Sequence, residues 1–174
     1  MKRLLISVTL SIFFLHAAAQ KKDSAFSLVL MSDIHVKQEV AKEFQKVIDS
    51  VNAIRPDFVM AAGDLVFDVM RGNPPAADSL FQLYKSMSAK IKSPVYNCIG
   101  NHELFGIYPE SDVTSSHPDY KYGMYERYLG KTFYSFDHKG WHFIVLNSID
   151  VTPEKKYMGV IRQKQIEWLK ADLT

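Results

Sequence analysis

Three observations predict an α/β fold built on a parallel sheet. Apolar runs and helical stripes alternate as strand, helix, strand, helix, strand over Phe26–Ile99, the rhythm of right-handed βαβ units. The strands read as near-continuous apolar runs, as expected where both faces of a sheet are covered. Each strand then ends in polar residues of mixed chemistry, on the edge where open α/β sheets bind ligands. The 174 residues, 47% apolar and 23% charged, suit a globular domain with a real core.

The first element stands apart. Lys2-Arg3, an apolar stretch from Leu4 to Leu15 and Ala17-Ala18-Ala19 before Gln20 form the charged, apolar and small-residue parts of a signal peptide. The apolar stretch is shorter than the roughly 20 residues a bilayer crossing needs. Residues 1–19 are therefore expected to be cleaved near Ala19. The mature protein is expected to be exported, periplasmic or secreted, with no membrane association. Residues 20–25 are a polar lead-in, and residues 26–174 form the domain. Without Lys2 and Arg3 the remaining basic residues balance the 19 acidic ones, so no nucleic-acid-binding face is expected. Cys98, the single cysteine, excludes an intrachain disulfide and reads as a small buried residue.

Phe26–Ser32 is the first strand. Val40, Phe44, Val47, Ile48, Val51 and Ile54 form one stripe of a helix over Glu39–Ile54, stopped by Arg55-Pro56. Phe58–Ala62 is the second strand, and Gly72-Asn73-Pro74-Pro75 marks a loop. Leu80, Tyr84, Met87 and Ile91 repeat at helical spacing before Ser93-Pro94, and Val95–Ile99 is the third strand. Leu104–Tyr122 has no clear period and reads as a long loop of the functional kind. Met124–Leu129 is a short helix. Thr132–Asp137 and Trp141–Asn147 form a hairpin across His138-Lys139-Gly140, and Arg162–Leu173 is helical.

The strand ends supply Asp33-Ile34-His35, Gly63-Asp64 and Gly100-Asn101-His102-Glu103. Gly100 is expected to let the chain turn sharply. Asp33 and His35, two apart, point the same way on an extended segment, and carboxylate plus imidazole chelates Zn, Mn or Fe. The oxygens of Asp64 can bridge two ions, and the amide of Asn101 offers a neutral oxygen to a second. Each motif alone is weak, but the three in order at successive strand ends make a specific pattern.

These three blocks resemble the first three motifs of the calcineurin-like metallophosphoesterase family, and the resemblance runs from about Phe26 to Leu173. It implies an αββα sandwich carrying two divalent metal ions of the Mn, Fe or Zn type. By motif, Asp33 and His35 would bind the first ion, Asp64 would bridge, and Asn101 would bind the second. His102 would sit beside the substrate phosphate, stabilising it or protonating the leaving oxygen, and Glu103 would orient its ring. A metal-activated hydroxide would hydrolyse a phosphoester on a phosphorylated substrate.

Two departures shape the expectation. The purple acid phosphatase branch has a tyrosine three residues after the Gly-Asp aspartate, where this chain has Phe67, so a charge-transfer iron site is not expected. The family's later histidine blocks are absent, leaving the second ion with Asp64, Asn101 and no imidazole. The resemblance thus implies an αββα sandwich incomplete at the C-terminus, with about one weak metal site and compromised activity. A C-terminal segment supplied from elsewhere would complete it. The alternative expectation is a non-catalytic remnant or binding module that keeps part of the fold.

Overall fold

The computed structural model describes residues 25–174; the expected leader lies outside the described residues. Strand β1 (Leu28–Met31), helix α1 (Ala41–Ile54), β2 (Phe58–Ala62), α2 (Pro74–Ser88) and β3 (Val95–Cys98) follow the expected order. The strands form one parallel sheet in the order β1-β2-β3. Helix α3 (Gly123–Leu129) follows, then a hairpin of β4 (Tyr134–His138) and β5 (Trp141–Val145). A second small pair, β6 (Ile149–Val151) and β7 (Tyr157–Gly159), precedes helix α4 (Gln163–Asp172).

The alternation of the strands assigns the layers. Val29, Val59 and Val95 share one register and one face. They pack on the buried stripe of α1 (Phe44, Ile48, Val51) and on Phe81, Tyr84 and Met87 of α2. Tyr84 explains a polar residue in β3: its hydroxyl donates to Asn97 Oδ1 at 2.6 Å. On the opposite face Phe58 meets Phe136 and Phe143 of the hairpin at 5.5 and 5.0 Å between ring centroids. Tyr96 stacks on Phe136. The outer face of the hairpin is covered by α4, through Phe133 against Trp168 and Ser135 bonded to Asp172. Helices, sheet, hairpin and helix lie in sequence: this is the αββα layering.

Several boundaries differ for local reasons. Asn73-Pro74-Pro75 opens α2 instead of marking a loop. Asn73 caps the helix by accepting from Ala76 N, and the prolines occupy the first turn, where their missing N–H groups would have no partner anyway. Arg55 ends α1 in a left-handed conformation, φ 54°, a known helix stop. Cys98 is half-buried and free, and burial raises its pKa. Among the described residues no helix is long and apolar enough to cross a membrane.

The segment read as a long loop is held by defined contacts. Phe105 pairs with Lys121 in an isolated antiparallel bridge, and Ser111 Oγ donates to Gly72 O. Beyond it, Asp150 on β6 is buried and paired with both Lys121 and Arg162. Burial pushes this carboxyl up, but the two cations and the Val151 N–H outweigh it and hold the pKa at about 2.

Candidate metal centre

The strand ends converge through backbone pairing. Asp33 N donates to Gly63 O, His35 N to Asp64 O and Val36 N to Leu65 O, so the segment after β1 runs beside the segment after β2. His102 N donates to Asp64 Oδ1 at 3.1 Å, which ties in the turn after β3. That turn is a single 3-10 helix, Asn101–Glu103.

Asp33, His35 and Asp64 all have left-handed backbones, with φ of 54°, 47° and 51°. Such conformations cost a residue with a side chain about 1–3 kcal/mol and gather at functional sites. Gly63, φ 88°, is the left-handed glycine of the site. Gly100 has another reason: its φ of −109° is ordinary, so the expected sharp turn is not what requires it. A Cβ there would overlap the carboxylate and backbone N of Asp64. Close approach of two strand ends, with Asp64 between them, demands the missing side chain.

His35, Asp64 and His102 each present a ligand atom within 4.8 Å of the others. The two imidazoles stack at 4.3 Å between centroids. His35 Nε2 lies 3.5 Å from Asp64 Oδ2, yet the approach makes no hydrogen bond. His35 Nε2 and His102 Nδ1 are buried with no hydrogen-bond partner. Buried imidazole nitrogens without partners are costly, and a ligand bound in the cluster would satisfy them. Two imidazoles and a carboxylate are also the donor set that first-row divalent ions favour.

The remaining expected residues fall differently. The carboxylate of Asp33 accepts from its neighbour Ser32 Oγ and lies outside the three-residue cluster. Asn101 begins the 3-10 helix, half-buried beside His102. Glu103 is a correction. It is fully buried, and its oxygens accept from the backbone N–H groups of Asp64, Leu65, Val66 and Gly100 at 2.7–3.0 Å. It does not hold the ring of His102. Adjacent side chains of a 3-10 turn diverge by about 120°, so while His102 faces Asp64, Glu103 enters the core. Burial pushes the Glu103 carboxyl up to about 7 against the pull of its backbone donors.

His102 lies in one cluster with His35 and Asp64. The spacing of Gly-Asn-His-Glu signalled the place of these residues. The backbone-clamping role of Glu103 and the left-handed strain left no mark in residue order.

The model of the calcineurin-like phosphoesterase family matches residues 26–172. The chain belongs to this family. The match is to a family of phosphoesterases, and the cluster of His35, Asp64 and His102 could hold a metal ion. A curated relative, "Putative metallophosphoesterase F40B5.2" of Caenorhabditis elegans, is 33% identical over 85 residues. That match takes in 48% of this chain and 16% of the relative. A crystal structure of a dimetal phosphatase from Danio rerio has the same fold, with a TM-score of 0.58 at 15% identity. It matches 85% of this chain, which spans 64% of that one.

Proposed function

We propose that this chain hydrolyses phosphoesters at a divalent-metal centre formed by Asp33, His35, Asp64 and Asn101, with His102 at the substrate phosphate. The observation that supports this is a pair of buried, unpartnered nitrogens in the cluster with Asp64: His35 Nε2, open to a metal ion, and His102 Nδ1, open to a phosphate. Divalent ions bound there would acidify water and polarise phosphoryl oxygens. Asp64, close to both imidazoles, would be the carboxylate shared by the ions. Asp33 joins the ligand set on leaving Ser32. His102 holds the phosphate and gives its proton to the departing oxygen, the role a donor plays where charge grows in the transition state. Glu103 acts through the backbone: by gripping Gly100 and the 64–66 loop together it fixes the distance between Asp64 and His102.

The leader pattern supports an exported enzyme, and N-terminal sequencing of the mature protein from the producing cell checks it. Activity is tested with Mn-, Zn- or Fe-loaded protein on aryl phosphate monoesters and diesters. His35→Ala and Asp64→Asn are expected to lose both the metal, by elemental analysis, and turnover. His102→Ala is expected to keep metal and to lose most activity on esters with poor leaving groups, but less on p-nitrophenyl esters. Loss of metal with His102→Ala would make it a ligand instead. A folded wild-type protein that neither retains metal nor hydrolyses either ester would refute the proposal.

A further inference from the structure

A groove of about 360 Å3 lies between the segment that leads into β4 and helix α4. Lys131, Thr132, Phe133, Lys164 and Trp168 line it, and Glu126 is the one acid on the lining. None of the metal-centre residues faces it, and its volume falls within the range of about 300–1,000 Å3 typical of small-molecule sites.

Three independent features give it chemical character. Lys131 and Lys164 make no ion pair among the described residues, so two free cations face one carboxylate. Lys164 lies in the first turn of α4, whose N-cap supplies no side-chain cap, and the positive end of the helix adds to their field. Thr132 is 5% exposed, yet its hydroxyl has no hydrogen-bond partner among the described residues. Thr132 lines the groove, and its open hydroxyl is available to a polar ligand there. Phe133 and Trp168, with centroids 5.1 Å apart and planes tilted by 57°, supply an aromatic surface on which a ring can stack.

We propose that this groove binds a planar-ring anion of the nucleoside monophosphate class, independently of the metal centre. Its anionic group lies at Lys131, Lys164 and the Thr132 hydroxyl, and its ring lies on Trp168 and Phe133. The site needs no bound metal, so it is tested in excess EDTA.

The chain has two tryptophans, and Trp141→Phe leaves Trp168 as the single fluorescent reporter. AMP is expected to quench it saturably, with adenosine and inorganic phosphate each binding at least about tenfold more weakly. Lys164→Glu is expected to weaken AMP roughly tenfold, and the near-isosteric Thr132→Val about threefold, with unchanged far-UV circular dichroism. Asp64→Asn is expected to leave binding in place. The proposal is overturned if AMP gives no saturable quenching, if adenosine binds as well as AMP, or if neither groove variant matters. Loss of binding in Asp64→Asn would also overturn it, because the nucleotide would then sit at the metal centre.

Discussion

Glu103 carries more of the site's architecture than its place in the motif implies. One side chain satisfies four backbone N–H groups from two loops, in an interior where each unmet donor costs about 1–3 kcal/mol. Glu103→Ala is therefore expected to cost at least ~3 kcal/mol in urea unfolding of the metal-free protein. Glu103→Gln, which keeps one acceptor oxygen, should fall between the two. If Glu103→Ala were as stable as wild type, the clamp would have no energetic weight. The three residues that the structure brings together, His35, Asp64 and His102, were legible in residue order because strand ends and short polar motifs coincide. The direction in which each side chain points was not, because it depends on left-handed backbones and on a 3-10 turn.

At the scale of elements, the contact between the hairpin and α4 depends on a charged histidine. His142 on β5 places Nδ1 2.7 Å from Asp137 and Nε2 2.9 Å from Asp172, and only the imidazolium donates to both. Asp137 first, then Asp172, raises the pKa of His142 above its usual 6.5. With the folded-state value raised, this stabilisation is complete below pH 6.5 and is lost as pH climbs through the raised value. The melting temperature of wild type should exceed that of His142→Gln in mild acid, and the gap should close at alkaline pH. A gap independent of pH would disprove the charged contact. The pattern of apolar residues located β1 to β3, the hairpin and all four helices. It missed β6 and β7 because strands of three residues show no period, and their pairing is set by distant partners such as Lys121 and Arg162 around Asp150.

Across the whole molecule, the hairpin covers only part of the sheet face it packs on. Leu28 and Leu30 of β1 share that face with Phe58 and remain 39% and 65% exposed, and Trp141 on β5 is 57% exposed. Apolar residues along an open sheet edge favour association. Light scattering of the purified chain is expected to rise with concentration, and Leu30→Lys to suppress the rise without lowering the melting temperature. Equal scattering from both proteins would show that this edge is inert.

Residue order alone was enough for the α/β class, the three motif-bearing strand ends and the family resemblance, since these depend on local periodicity and short spacings. Tertiary structure decided that His102 joins His35 around Asp64, that Glu103 serves the backbone, that Gly100 is needed for clearance, and that a cationic aromatic groove forms beside α4. Each of these brings together residues far apart in the chain, and such meetings are settled by packing between layers.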